Sequence, residues 1–221
     1  MNIEAISLRT NDLESTFDFY HNILGLHVSE RTDRHVTFSA GKTTLTFIYS
    51  DTSQHPVYHF AFTIPANKLN EAFDFIQSRT TTMNIPSGGK FADFRNWNAE
   101  AFYFYDNNGN ILEFITRYAL KNSSEETFSG ASINAISEIG LVTDDVPQLA
   151  KEIVHRYNIP VFEHQPAQEQ FTVLGDDHGL FILVATERTW YPTQIKAGIF
   201  PVTIHIRNQS GERFKIDYPF A

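Results

Sequence analysis

Two ionisable side chains stand in strands that are otherwise apolar. His59 begins the segment "HFAFTI", and Glu113 lies inside "NILEF". A buried imidazole or carboxylate costs free energy unless it has a hydrogen-bond or charge partner. The two residue types suit three roles: ligands of a metal ion, a catalytic base with the residue that orients it, or a buried structural pair. Residue type alone leaves all three open.

Four further residues are candidates for contact with a small molecule near these strands. Arg9 and Arg117 end strands on the same alternation, which predicts either solvated rim positions or a clamp for an anionic group. Trp97 and Asn98 lie in the polar loop "DFRNWNAEAF". They would pack over a ligand and hydrogen-bond to it, or Trp97 would anchor the loop by packing alone.

The composition narrows the classes of protein to consider. Of 221 residues, 42% are hydrophobic and 19% charged, which is typical of a globular protein. The net charge of −9 argues against a non-specific nucleic-acid binder. The absence of cysteine excludes disulfides, thiolate metal sites and cysteine nucleophiles. No signal peptide or apolar span is visible in the sequence, so we expect a cytoplasmic protein without a membrane partner.

One order of elements, βαβββ, recurs along the chain. In the first unit, "IEAISLR" predicts a strand, a helix is expected near 12–24, and Gly41 predicts a hairpin turn. The second unit repeats this order, with a helix near 66–78 and a hairpin around "DNNGN". In a third unit, "EIGLVTDDV" aligns without a gap with "AISLRTNDL" of the first. The polar stretch 121–132 predicts a linker between a domain at 1–120 and a partial domain at 133–221.

The helix segment "FDFYHNILGL" and the hairpin "YFYDNNGNILEF" resemble the vicinal oxygen chelate superfamily. That superfamily includes glyoxalase I, extradiol dioxygenases, fosfomycin-resistance thiol transferases and bleomycin-binding proteins. The resemblance implies an α+β fold in which tandem βαβββ units form a cupped mixed sheet with the helices outside. Residues 1–118 would form one such cup, and a third, partial βαβββ unit would follow. A metal, where the family has one, lies in the cup.

The family's metal-ligand positions are filled in part. The resemblance places His59 and Glu113 at ligand positions of the second unit. The corresponding positions of the first unit are Ala5 and Thr46, which do not match the family's ligands. In the last strand of the third unit, the alignment puts Leu183 at the matching position. The sequence therefore predicts an incomplete metal site.

A third metal ligand has to come from another part of the chain. The candidates are His35, Glu100 and Glu138, of which Glu138 aligns with Ala5. Catalytic zinc normally has three protein ligands, and oxygen-activating ferrous sites use two histidines and one carboxylate. We therefore expect a divalent metal (zinc, iron, nickel or manganese) to be weakly held or absent.

Two functions are compatible with these residues. The first is a glyoxalase- or dioxygenase-like enzyme that acts on a small organic molecule, with His59 and Glu113 as metal ligands or catalytic groups. The second is a metal-free protein of the bleomycin-resistance type that binds a small molecule in the cup, and Ala5 and Thr46 favour this one. The apolar face of the third unit predicts that it packs on the first domain or forms a symmetric homodimer.

Overall fold

In this α+β protein the strands of the described residues form two sheets. The structure is a computed structural model and describes residues 1–51 and 55–220, so the last residue of the predicted second domain, 221, lies outside it.

The first sheet combines the first βαβββ unit with the two C-terminal strands. Its strands are β1 (Asn2–Thr10), β2 (His27–Arg31), β3 (His35–Ala40), β4 (Thr43–Tyr49), β12 (Val202–Arg207) and β13 (Arg213–Tyr218). In the described residues their order is β13-β12-β1-β4-β3-β2. β4 runs parallel to β1, and β12 runs antiparallel to it. The first unit is thus extended by strands from the far end of the chain.

The second sheet combines the second and third units. Its strands are β5 (His59–Thr63), β6 (Ala92–Phe94), β7 (Ala99–Tyr105), β8 (Ile111–Arg117), β9 (Ala135–Thr143), β10 (Phe171–Asp176) and β11 (Gly179–Ala185). Across the described residues the order is β10-β11-β9-β5-β8-β7-β6. The first strands of the two units, β5 and β9, are antiparallel neighbours at the centre. Each is flanked on its other side by the last strand of its own unit, which runs parallel to it.

The fold of tandem βαβββ units is confirmed, but the units pair differently from the expectation. The prediction that residues 1–118 form one cup is wrong, because β5 pairs with β9 and not with a strand of the first sheet. Strand pairing therefore crosses the predicted linker 121–132. The third unit packs within the chain, which satisfies the face that motivated a homodimer. The homodimer and the domain bounds 1–120 and 133–221 stay predictions.

Three helices in the described residues lie where the periodicity predicts them. They are α1 (Leu13–Phe17), which continues as a π-helix over Asp18–Ile23, α2 (Leu69–Gln77) and α3 (Val146–Tyr157). The Asp12 carboxylate accepts a hydrogen bond from the Ser15 N–H and caps α1. None of the helices in the described part of the chain has the length and apolarity that crossing a bilayer requires. The buried stripe of α2 is the one that the sequence predicts: Leu69, Ala72, Phe73 and Ile76.

Alternation along β8 separates the hydrophobic core from a polar face. Leu112 and Phe114 join the core that includes α2, whereas Ile111 and Ile115 belong to a separate cluster on the opposite face. The Phe114 ring packs edge-to-face on four neighbouring phenylalanines at centroid distances of 5.1 to 5.8 Å. Burial of each such ring contributes roughly 1.5–3 kcal/mol, so the opposite face is built on a tightly packed layer.

Candidate metal centre

Three ionisable side chains meet on the face of the second sheet that lies opposite α2. His59, Glu113 and Glu138 come from β5, β8 and β9, which are adjacent strands. One donor atom from each lies within 4.8 Å of the others. His59 is 6% exposed, and Glu113 and Glu138 are each 2% exposed. The strand order thus places one nitrogen and two carboxylates in a buried cluster, which we call the triad.

The hydrogen bond of His59 fixes which ring nitrogen faces the carboxylates. Nδ1 lies 3.0 Å from the backbone oxygen of Ile111, which can only accept, so Nδ1 carries the proton. Burial lowers the pKa of His59 to about 4, so the ring is neutral at pH 7 and Nε2 has a free lone pair. Nε2 is 3.6 Å from Glu113 Oε2, too far for a hydrogen bond. Two electron-rich atoms thus face each other across a gap that a proton or a cation would fill.

The two carboxylates of the triad are held in an unfavourable environment. Burial and then the charge of Glu138 raise the pKa of Glu113 well above its ordinary value, and the nearby Arg117 guanidinium and Tyr103 hydroxyl oppose that rise. Burial also raises the pKa of Glu138, and the Arg117 guanidinium opposes that rise. A divalent cation between the carboxylates would remove their mutual repulsion. The donor set therefore fits a metal ion on chemical grounds.

Arg117 is the fixed positive charge beside the triad. Its side chain is fully buried, and Nη2 donates to Glu138 Oε1. Nη1 lies 3.5 Å from Asp177 Oδ1, and the guanidinium carbon lies 5.7 Å from the centre of the Trp97 ring. Because Arg117 engages one oxygen of Glu138, the other oxygen of that carboxylate can serve a second partner. Arg117 is therefore neither a solvated residue at the rim of the site nor an exposed clamp for an anion, the two roles that its place at a strand end predicted.

A cavity of about 490 Å³ lies above the triad. All three residues of the triad line it, and its aromatic walls include Trp97 and Trp190. The Trp190 ring centre is 5.1 Å from that of His59. A Cβ at Gly140 would come within 2.4 Å of the Trp190 ring, so glycine lets the indole lie directly on the sheet. The cavity has the size and apolar lining of a small-molecule site.

Of the remaining residues predicted to contact a ligand, one lines the cavity and two do not. Trp97 lines the cavity, and its contact with a ligand stays a prediction. Asn98 is exposed and has a left-handed backbone conformation at the end of the 3-10 turn Arg95–Trp97. Arg9 lies on β1 of the first sheet, where its N–H donates to the Tyr58 hydroxyl. Neither Asn98 nor Arg9 is a cavity residue.

Of the three candidates for a third ligand, the structure brings Glu138 to His59 and Glu113. His35 lies on β3 of the first sheet, with Nε2 3.2 Å from a carboxylate oxygen of Glu30. Glu100 accepts a hydrogen bond from the Tyr118 hydroxyl. The ungapped repeat contained the signal for Glu138, since it placed this residue at the position of a first-strand ligand.

Other residues of the cavity were missed by sequence reasoning. Tyr103, Trp190 and Arg188 all line it, and the last two lie in the loop after β11. A loop gives no periodic signal, so nothing in the sequence marked Arg188 and Trp190 as cavity residues. The register also corrects one alignment. Glu113 pairs with a residue two positions after His59, and the corresponding position in the third unit is Ile182, not Leu183.

Two models of known protein families match successive segments of the chain. A model described as the glyoxalase/bleomycin resistance protein/dioxygenase superfamily matches residues 2–114. A model described as toxoflavin-degrading enzyme matches residues 136–188, the segment that holds Glu138. No curated protein matches the chain.

Solved structures extend the similarity in fold over both sheets. A protein of Bacillus subtilis subsp. subtilis str. 168, provisionally named a dioxygenase, has a TM-score of 0.61 and 15% identity, covering 98% of this chain and 84% of that one. Lactoylglutathione lyase from Agrobacterium tumefaciens has a TM-score of 0.44 and 18% identity, covering 52% of this chain and 92% of that one. The first of these shows that the fold of the whole chain occurs elsewhere.

Proposed function

The chain belongs to the glyoxalase/bleomycin resistance protein/dioxygenase superfamily, and from that membership we propose that it is an enzyme holding a divalent metal ion on His59, Glu113 and Glu138. Its substrate would be a small organic molecule in the cavity above them. The match of residues 136–188 to the model of a toxoflavin-degrading enzyme supports an enzyme over a passive binder.

The observation that carries the proposal is the convergence of three donors from three adjacent strands. Three protein ligands with further positions open to solvent or substrate are typical of catalytic metal sites. The sequence-based expectation of a weak or absent metal depended on Ala5 as the partner position of His59. Because the second unit pairs with the third, the partner position is filled by Glu138. One imidazole and two carboxylates suit manganese, iron, zinc or nickel.

A metal ion held there would act as a Lewis acid towards oxygen atoms of the substrate. The chain's own groups supply the rest of the site. His59 is oriented by its hydrogen bond to Ile111, as metal-binding histidines usually are by a second partner. Tyr103, 3% exposed, lines the cavity beside Glu113, where its neutral hydroxyl can donate a hydrogen bond to a bound molecule. The rings of Trp97 and Trp190 exclude water from the face of the sheet.

A metal-free binding protein is the second candidate, and one observation favours it. Arg117 already gives Glu138 a positively charged partner, so this carboxylate is compensated without a metal. In that case Glu113 would be protonated, as its raised pKa favours, and would carry no charge that needs a metal. The cavity would then bind its ligand through aromatic contacts alone.

Titration of the metal-free protein with Mn²⁺, followed by calorimetry and electron paramagnetic resonance, separates the two candidates. We expect the wild type to bind a single ion per chain and Glu138→Gln to bind it at least about 100-fold more weakly. Thr203→Val is the matched control and should bind as the wild type does, because Thr203 pairs with β1 in the first sheet as Glu138 pairs with β5 in the second. No binding by the wild type, or equal binding by Glu138→Gln, would exclude the metal enzyme.

A further inference from the structure

Arg188 is a cation of the cavity that has no counter-charge among the residues that the structure describes. It follows β11, is half-buried, and lies with its guanidinium carbon 4.3 Å from the centre of the Phe171 ring. In the described residues no carboxylate lies within ion-pair distance of it. Arg117 and Arg95, by contrast, both have carboxylate partners, Glu138 and Asp93. Burial lowers the pKa of the Arg188 guanidinium, which shows that its environment disfavours the charge.

An unpaired cation in a partly buried site is unusual in a chain with a net charge of −9. Many carboxylates on such a surface are available as partners, and a buried charge without one costs free energy. A guanidinium stacked on an aromatic ring keeps its edge free for a planar acidic group. The position therefore has the properties of a binding site for an anion.

The cavity between Arg188 and the triad is walled by aromatic rings. Phe94 and Trp97 stack at 5.7 Å with an angle of 28° between their planes. Tyr191 packs edge-on against Tyr103 at 5.7 Å, and Trp190 covers His59. Flat rings on several sides favour a flat, conjugated molecule over a branched aliphatic one.

The strand register sets the length of this molecule. Phe171 pairs with Val184, which pairs with Val142, four residues after Glu138. Four residues span roughly 13 Å along a strand and two strand spacings roughly 10 Å across, which puts the backbones of Phe171, beside the anion position, and Glu138, in the triad, roughly 16 Å apart. Curvature of the sheet shortens this distance. The two ends of the cavity are thus as far apart as the ends of a molecule with two or three fused or linked rings.

We infer that the cavity takes an elongated, planar conjugated anion, whose carboxylate, sulfonate or phosphate group is bound by Arg188 while its other end lies at the triad. That the other end of the molecule lies at the triad rests on the proposed function, whereas the binding of its acidic group by Arg188 does not. Arg188 is therefore a residue that determines specificity for acidic substrates over their neutral analogues.

The test uses tryptophan fluorescence, because the only two tryptophans of the chain, Trp97 and Trp190, both line the cavity. The probes are biphenyl-4-carboxylate and its neutral analogue biphenyl-4-carboxamide, which differ in charge and little in shape. We expect the wild type to bind the carboxylate at least about tenfold more tightly than the amide. Arg188→Gln should bind the two probes equally. Arg95→Gln removes the same charge from a paired, exposed residue at the rim and should keep the preference.

Both probes are titrated with and without a chelator. A preference that persists in the metal-free protein and disappears in Arg188→Gln supports the inference even if the triad binds no metal. A preference that disappears with the chelator assigns the anion to a metal and overturns the inference while supporting the proposed function. Equal binding of the two probes by the wild type, or an unchanged preference in Arg188→Gln, also overturns it.

Discussion

The two sheets present the same set of positions with different chemistry. When the two sheets are compared by strand register, equivalent positions are His59 and Ala5, Glu113 and Thr46, and Glu138 and Thr203. In the second sheet all three are buried, and in the first sheet all three are half-exposed. The βαβββ frame thus supplies the positions, and a few side chains decide whether a site results.

The polar groups of the first sheet are satisfied by their neighbours. The Thr46 hydroxyl lies 3.0 Å from that of Thr37, and the Thr203 hydroxyl donates to Asp217 at 2.7 Å. Neutral hydroxyls with such partners need no further ligand. The carboxylates of the second sheet are instead crowded together under aromatic rings, so their environment favours a bound cation. The comparison teaches that burial of ionisable side chains, and not the shared frame, distinguishes the second sheet as the candidate metal site.

Removal of the buried Arg117 guanidinium should have the largest effect on the difference in stability between the two sheets. Arg117→Met leaves Glu138 buried without a counter-charge, so we expect a loss of about 3–5 kcal/mol in the free energy of unfolding of the metal-free protein. Arg9→Met, at a half-buried arginine of the first sheet, should change it by less than about 0.5 kcal/mol. Urea unfolding in the presence of a chelator measures both. Equal losses would show that the second sheet does not depend on its charges.

A methyl group under Trp190 should have the next largest effect. In Gly140→Ala the new Cβ would lie 2.4 Å from the indole, which has to move. We expect a loss of about 1–3 kcal/mol and a shift of tryptophan emission to longer wavelength. Ser7→Ala, at the corresponding position of β1, should be nearly neutral in stability and leave the emission unchanged. An unshifted emission in Gly140→Ala would contradict the close packing of this cover.

The smallest effect, counted per pH unit, should appear in the pH dependence of stability. The pKa of Glu113 is raised above its ordinary value of 4.5, so above that pH the folded chain holds a proton that the unfolded chain has released. The free energy of unfolding therefore falls as pH rises, by at most about 1.4 kcal/mol per pH unit for this group. Relative to Glu113→Gln, the metal-free wild type should lose stability from about pH 4.5 upwards.

The control for this pH effect lies in the first sheet. Thr46→Val removes a group that does not titrate, so its difference from the wild type should stay constant with pH. His59, with a pKa lowered to about 4, adds stability as pH rises from about 4 to 6.5, but it is present in all three proteins. A constant difference between the wild type and Glu113→Gln would show that Glu113 is ionised in the folded chain.

Local patterns predicted much of the fold from sequence. Turns, caps and the buried stripe of α2 depend on residues close in the chain, and alternation correctly put Glu113 and Phe114 on opposite faces of β8. The pairing of β5 with β9 could not be predicted in this way. The first strands of the first and third units, β1 and β9, offer β5 similar apolar faces and backbone groups. Which of them pairs with β5 therefore depends on the packing of the whole chain.

The candidate site was predictable to the same extent. His59 and Glu113 stood out because charged residues are rare in apolar strands. Glu138 could be aligned but not placed, since its neighbourhood depends on which units pair. Trp190 and Arg188 come from a loop whose path is set by tertiary contacts, such as the fit of the indole on Gly140.

The central claim, that the second sheet holds a metal and the first does not, is tested most directly by anomalous diffraction from crystals grown with Mn²⁺. The account predicts an anomalous peak within bonding distance of His59 Nε2 and of one oxygen each from Glu113 and Glu138. The first sheet should show none at Ala5, Thr46 and Thr203. A triad without a peak, or a peak at the Glu30–His35 pair of the first sheet instead, would contradict it.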